Sequence, residues 1–406
     1  MLYRVMSLMV SNRYLNLGNN LCVNGSTREN ASLKILILSC NTGSGHNSAA
    51  AAIAEYAKTQ GATCDIMDAL AFTSEHFSKM ISNGHSFVYR NMPRAFGWGY
   101  QVEEKEDLRF IDFFKRFGSI GAKRLYRYIN LKQYDAVVSV HVFASLMLSC
   151  VKHKYGPLPP YYFVATDYTC SPGVSRAQAD IYFVPHEKTI PEFIHYGIPA
   201  ERLVVTGIPI SQRFFEKQQK AVSRKYLGLP EKGRMVLFAC GSIGCGPIPQ
   251  ITQILSDKLP QDDYVTVVCG HNEKLYKHMQ AQNYPSNVVL VGYTDQMPLY
   301  LDSADLFLSK AGGLSTTEAL AKRVPLVYMN TIPGCEKHNF DFMLQNGYAF
   351  TGEIPNGLCS QVCALLQDPQ TLEQLIEKYE NECNHNGAKN ICNYIFSHAA
   401  TMKSQC

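Results

Sequence analysis

A chain of 406 residues is long enough for two domains of ordinary size, and 46% hydrophobic against 18% charged residues supplies cores for both. A net charge of +4 and a pI near 8.3 are too weakly basic to argue for nucleic acid as a partner, yet they suit visits to an anionic membrane surface. No run of about 18 apolar residues occurs, which excludes a membrane-spanning helix, and the fourteen cysteines include no CxxC pair, so no metal-site spacing is present. Cys40, Cys240 and Cys269 lie in apolar runs and read as small buried hydrophobes of a reducing compartment.

Residues 1–32 lack the pattern of a signal peptide, and the stretch from Gly18 to Ser32 is rich in Gly, Asn and Ser; a disordered extension is expected there. The first domain is expected over 33–210. LKILILSC reads as a strand, Asn41 to Ser48 as a turn, AAAAIAEYAKT as a helix and ATCDIM as a second strand, a βαβ unit with its functional loop at the end of the first strand. Gly43 and Gly45 supply part of a G-x-G-x-x-G fingerprint, and Asp65 stands about 20 residues on. Ser48 holds the third glycine place, and no GK[ST] follows, so a P-loop is excluded. His46 in this loop is placed either for proton transfer or for capping the helix.

From Asp68 onward the composition turns aromatic, with Phe87, Tyr89 and the single tryptophan Trp98, and then basic, with Arg116, Lys123 and Arg124 among others. Two readings stay open: a lipid-facing surface, or an insertion packed on its own domain behind a solvated basic helix. Further on, His141 and Asp167 fall at the ends of strands YDAVVSV and YYFVA. Six strand candidates with helices between them predict a parallel, doubly wound domain, closed by Gly207-Ile208-Pro209 as a hinge.

A second α/β series is expected over 211–370. Its strands are MVLFAC, followed by a glycine-rich turn that holds Ser242, then YVTVVCG, NVVLVGY ending at Tyr293, LFLS and PLVYM. After LFLS, Gly312 and Gly313 permit a tight turn, Ser315, Thr316 and Thr317 are N-cap types, and Glu318 falls in the first helical turn. A helix N-terminus of this kind suits an anion such as a diphosphate, and Glu318 is placed to accept hydrogen bonds from ribose hydroxyls. The bland alternative is an ordinary βα turn with Glu318 as a dipole partner. PGCEKHN, read as a polar loop, offers Glu336, Lys337, His338 and Asn339 together. Residues 371–406 are read as charged helices that pack back across the hinge.

Six stretches then stand in order between Leu33 and Leu375: TGSGHNSAA, VATDY, VTGIPI, GSIG, SKAGGLSTTEAL and PGCEKHN. Together they resemble glycosyltransferases of the monogalactosyldiacylglycerol synthase and processive diacylglycerol glucosyltransferase type, relatives of the transferase that adds N-acetylglucosamine to lipid I. The resemblance implies a GT-B fold, two Rossmann-like doubly wound α/β domains facing across a cleft, and inverting transfer of a hexose from a UDP-sugar to diacylglycerol. It implies an enzyme that is peripheral on the cytoplasmic face of a membrane, with the aromatic and basic region around Phe87, Tyr89, Trp98, Arg116, Lys123 and Arg124 meeting acceptor and lipid. Gly312, Gly313, Ser315, Thr316 and Ser242 would meet the diphosphate, Glu318 the ribose, Tyr293 the uracil, and Glu336 and Asn339 the sugar. His46 and Asp167 are both implied as base. No DxD-like carboxylate pair marks a metal site, and no cofactor is called for. Two stretches depart from the family pattern: Cys335 stands where glutamine is frequent, and YTCSPGVSRAQAD replaces an aromatic and acidic stretch after Asp167. The alternatives are another lipid-linked glycan as acceptor, a UDP-sugar epimerase, and a UDP-sugar sensor without turnover. A dinucleotide oxidoreductase ranks last, because its glycine fingerprint is incomplete.

Overall fold

A computed structural model describes residues 32–41, 44–74, 108–241, 246–329 and 335–404. It contains two six-stranded sheets, each wholly parallel. The first is built from β1 (Lys34–Ser39), β2 (Thr63–Asp68), β3 (Ala136–Ser139), β4 (Tyr161–Val164), β5 (Ile181–Val184) and β6 (Leu203–Val205), in the order β2-β1-β3-β4-β5-β6. The second is built from β7 (Met235–Ala239), β8 (Tyr264–Val268), β9 (Val288–Val291), β10 (Leu306–Ser309), β11 (Leu326–Tyr328) and β12 (Ala349–Thr351), in the order β12-β11-β10-β7-β8-β9. Strands such as β3, β7 and β10 are buried at every position. That is why they read as continuous apolar runs: helices cover both faces of a parallel sheet. The order of each sheet reverses once, between β1 and β3 in the first and between β7 and β10 in the second. Ligands of open α/β sheets sit at such reversals, beyond the carboxyl ends of the strands.

The helices that frame these ends are α1 (Ser44–Thr59), α2 (Leu108–Lys132), α3 (Val142–Lys154), α4 (Gly313–Lys322) and α5 (Cys335–Gln345). Two more close the chain: α6 (Pro369–Glu382) stays with the second domain, where Tyr379 Oη donates to Tyr348 O at 2.6 Å. By contrast α7 (Gly387–Ser404) crosses to the first, where Ile391, Cys392 and Ile395 share a core with Ile53, Val138 and Phe183. The crossing segment passes hard against the chain that leaves β6. Gly207 has φ +85°, and a Cβ built there would lie 2.5 Å from His385 Cβ, so no other residue fits.

Three readings of the sequence are corrected here. CEKHN is no loop; it forms the opening turns of α5. A sixth strand, β12, completes the second sheet beyond the five read from sequence. Asp65 serves the fold: its carboxylate accepts from Tyr134 Oη at 2.5 Å. Among the described residues no helix is long and apolar enough to cross a membrane. The cysteines named in the sequence reading, Cys40, Cys240 and Cys269, are fully buried.

Candidate active site

The site is assembled at the two sheet reversals. Leaving β1, the chain enters α1 with His46 in its first turn. A short chain of hydrogen bonds pins this entry: Ser39 Oγ donates to Asn47 Oδ1 at 2.6 Å, and Asn47 Nδ2 donates to Asn41 Oδ1 at 2.9 Å. Asn41 Nδ2 donates in turn to Asp68 Oδ2 at 3.1 Å, at the end of β2.

His46 Nδ1 lies 2.9 Å from Val140 O, at the end of the neighbouring strand β3, and 3.1 Å from Thr166 Oγ1. A carbonyl oxygen only accepts, so Nδ1 carries the proton and the Nε2 lone pair is left for other work. The His141 ring meets His46 edge-on at 4.4 Å. Burial drives the His46 pKa below the ordinary histidine value; the negative charge of Asp167 and the Val140 carbonyl pull the other way. The net direction is downward, so the ring is a neutral base at neutral pH.

The second domain approaches this spot with the N-terminus of α4. Gly312 is its N-cap residue, with Ser315 Oγ donating to Gly312 O at 3.2 Å. At Gly313 the approach is extreme: a Cβ there would stand 2.1 Å from Thr166 O and 3.0 Å from Asp167 Oδ1. Gly45, beside His46, would place its Cβ 3.7 Å from Leu314. Thus His46, Asp167 and the positive end of a helix dipole meet at one point of the interdomain cleft. Thr316 does not share in this. It is buried, its hydroxyl pairs with Tyr328 Oη at 2.6 Å, and its N–H is taken by Gly312 O, which corrects its reading as a diphosphate contact.

Glu318 is half-buried, and its carboxylate forms no hydrogen bond or ion pair among the described residues. Desolvation alone pushes its carboxyl up to about 8. Glu336 is held by the ammonium of Lys310, which also closes over the turn after β7, with Cε 3.1 Å from a Cβ built on Gly241. Lys310 was not singled out from the sequence, although it stands inside the motif SKAGG, two residues before Gly312. Tyr293 follows β9, is 64% exposed, and stacks at 4.0 Å on His271, which follows β8.

Asn339 is fully buried and bonded to both domains. It donates to Asp167 Oδ1 at 2.8 Å and to Ala311 O at 3.0 Å, and accepts from Tyr168 N at 2.7 Å. Ser242, Phe87, Tyr89 and Trp98, and the side chain of Arg116, lie outside the described residues. Lys123 is exposed on α2, and Arg124, also exposed, donates to Thr73 O at 3.2 Å.

A family model described as monogalactosyldiacylglycerol (MGDG) synthase matches residues 46–210, and one described as glycosyl transferases group 1 matches residues 251–382. The processive diacylglycerol beta-glucosyltransferase of Staphylococcus saprophyticus is 28% identical over 301 residues, which span 73% of this chain and 74% of that protein. In fold, the chain is similar to the crystal structure of Acinetobacter baumannii MurG, with a TM-score of 0.60 at 15% identity over 90% of this chain and 99% of that one. It is also similar to Anabaena HepE crystallised with UDP-glucose, with a TM-score of 0.52 at 12% identity over 92% of this chain and all of that one.

Proposed function

On the premise that this chain is a GT-B glycosyltransferase, with a monogalactosyldiacylglycerol synthase domain followed by a group 1 glycosyl transferase domain, we propose that it transfers a hexose from a UDP-sugar to diacylglycerol, with inversion at the anomeric carbon. One observation carries the reading: a neutral, tautomer-fixed histidine and a carboxylate face the N-terminus of α4 across a few ångströms. An acyl-glycerol hydroxyl attacks the anomeric carbon while His46 Nε2 takes its proton, and Asp167 stabilises the imidazolium that forms. The C–O bond to the diphosphate breaks, and UDP leaves with its negative charge. The N–H groups that open α4 and the Lys310 ammonium receive that charge. Gly312, Gly313 and Ser315 hold the diphosphate, Glu318 the ribose hydroxyls, Tyr293 the uracil edge, and Glu336 the sugar hydroxyls. Because this positive potential comes from the protein, the reaction should proceed at the same rate in EDTA, as the transfer assay with and without chelator will show.

The lipid side is supported by α2. Ile120, Arg124, Arg127 and Leu131 recur at spacings that share one helical face, and all four are exposed, Ile120 at 60% and Leu131 at 80%. An apolar and cationic face of this kind suits the interface of an anionic leaflet, and we place the enzyme on the cytoplasmic one. The processive diacylglycerol beta-glucosyltransferase of Staphylococcus saprophyticus supports the acceptor, and HepE with its UDP-glucose supports the donor. The test is incubation of the full chain with diacylglycerol vesicles and, separately, UDP-glucose, UDP-galactose and UDP-N-acetylglucosamine. Mass spectrometry of the lipids should find a hexosyl-diacylglycerol with one donor. Failure to bind UDP and to consume any UDP-hexose would refute the reading.

A further inference from the structure

The resemblance assigns Asn339 to the donor sugar, but its surroundings point elsewhere. A primary amide has two N–H donors and one carbonyl oxygen. In Asn339 one N–H goes to Asp167 Oδ1, the other to Ala311 O, and the oxygen accepts from Tyr168 N, with none of the side chain exposed. Both N–H groups are committed, and two of the three partners belong to the opposite domain. The loop that carries those partners is itself anchored in the second domain: Tyr168 Oη pairs with Thr317 Oγ1 at 2.9 Å, and its ring stacks on Phe342 at 5.2 Å. Phe342 and Asn339 lie on the same helix, α5, whose first turn carries Glu336.

We propose that Asn339 is a positioning residue which fixes the Asp167 carboxylate beside His46 only when the two domains are closed, so that the helix holding the donor sugar also completes the base. The inference deepens the proposed function and rests on it for the roles of His46 and Asp167. Among the described residues, Asp167 and His141 are the titratable neighbours of the His46 ring. A displaced Asp167 therefore leaves a trace in the pH profile. With less negative charge beside the ring, the acid limb of kcat moves to lower pH. A purely structural role for Asn339 would leave that limb in place.

The experiment is steady-state transfer by the full chain with diacylglycerol vesicles and whichever UDP-hexose it uses, for the wild type, Asn339→Ala, Asn339→Asp, Asp167→Asn and the double variant Asn339→Ala with Asp167→Asn. Binding of UDP and of the UDP-hexose is measured calorimetrically alongside. The expected result for Asn339→Ala is a kcat lower by about 10- to 100-fold, with UDP-hexose affinity within about threefold of wild type. The double variant should be no slower than Asp167→Asn alone. Asn339→Asp keeps the acceptor for Tyr168 N–H but sets two carboxyl groups against each other. Its activity should recover as the pH falls and the pair shares a proton; if Asn339→Ala does not fold, this variant carries the comparison.

A loss of UDP-hexose affinity with UDP affinity intact would return Asn339 to the sugar and overturn the proposal. Multiplying effects in the double variant, or a fully active Asp167→Asn, would overturn it as well. Should the wild type transfer nothing to lipid, the functional reading falls separately. The clasp is then decided by hydrogen exchange: faster exchange of the Tyr168 amide in Asn339→Ala supports it, and unchanged protection refutes it.

Discussion

His46 owes its chemistry to where its ring is held. Nδ1 is committed to the Val140 carbonyl, and burial keeps the imidazole neutral. His46→Ala should lower kcat by about 10²- to 10⁴-fold and leave UDP affinity unchanged, as steady-state kinetics and calorimetry will show. Since the folded pKa lies below the ordinary histidine value, the acid limb of kcat/KM should also fall below it, and Asp167→Asn should move it lower still. Glu318 presents the reverse case. Its carboxyl, raised from 4.5 to about 8, binds a proton more tightly in the folded chain than in the unfolded one. Unfolding therefore releases a proton across that window, and the stability owed to this group falls as pH rises through it. Glu318→Gln should stabilise the free protein at pH 8 by roughly 1 kcal/mol and weaken UDP binding, the trade expected of a group retained for a ligand. Thermal denaturation against pH and UDP titration measure the two halves.

At the scale of elements, Gly313 separates helix stability from domain closure. Alanine is the better helix former by about 1 kcal/mol, so Gly313→Ala should not weaken α4 itself. The added methyl would nevertheless stand 2.1 Å from Thr166 O. Expected outcomes are a melting temperature within a few degrees of wild type and a kcat at least tenfold lower, checked by calorimetry and the transfer assay. The first domain was legible because most of its strands, such as β1, β3 and β4, are apolar runs punctuated by Gly, Pro or a polar turn, whereas β2 (TCDIMD) is a half-exposed edge strand. In the second, β12 escaped because AFT is only three residues long and its pattern is too short to register. CEKHN looked like a loop because its polar residues come first, and the apolar residues that anchor α5, such as Phe342 and Met343, only follow. Gly312, Gly313, Glu318 and Glu336 could be named as candidates from their motifs. Lys310 could not be given its partner, because Glu336 stands 26 residues away. The bond from Asn339 to Asp167 spans 172 residues and leaves no local trace in sequence.

For the whole molecule, two domains are joined through the segment around Gly207 and strapped by α7, whose Ile391 and Ile395 bury themselves in the first sheet's core. The cleft faces at the two sheet reversals are thereby presented to each other, and α2 on the first domain keeps Lys123 and Arg127 exposed. Reversing two of its charges, Lys123→Glu with Arg127→Glu, should cut binding to anionic vesicles by about tenfold or more, since each basic residue near such a surface contributes about 1 kcal/mol. UDP binding should be untouched, and high salt should erase the difference between variant and wild type in vesicle sedimentation. The central claim is a single displacement at the anomeric carbon, driven by His46 and received by the N-terminus of α4. It is tested most directly by the anomeric configuration of the lipid product, read by nuclear magnetic resonance after reaction with an α-linked UDP-hexose. A β-linked hexosyl-diacylglycerol is predicted; an α-linked product, or hexose released to water with no hexosyl lipid, would contradict the account.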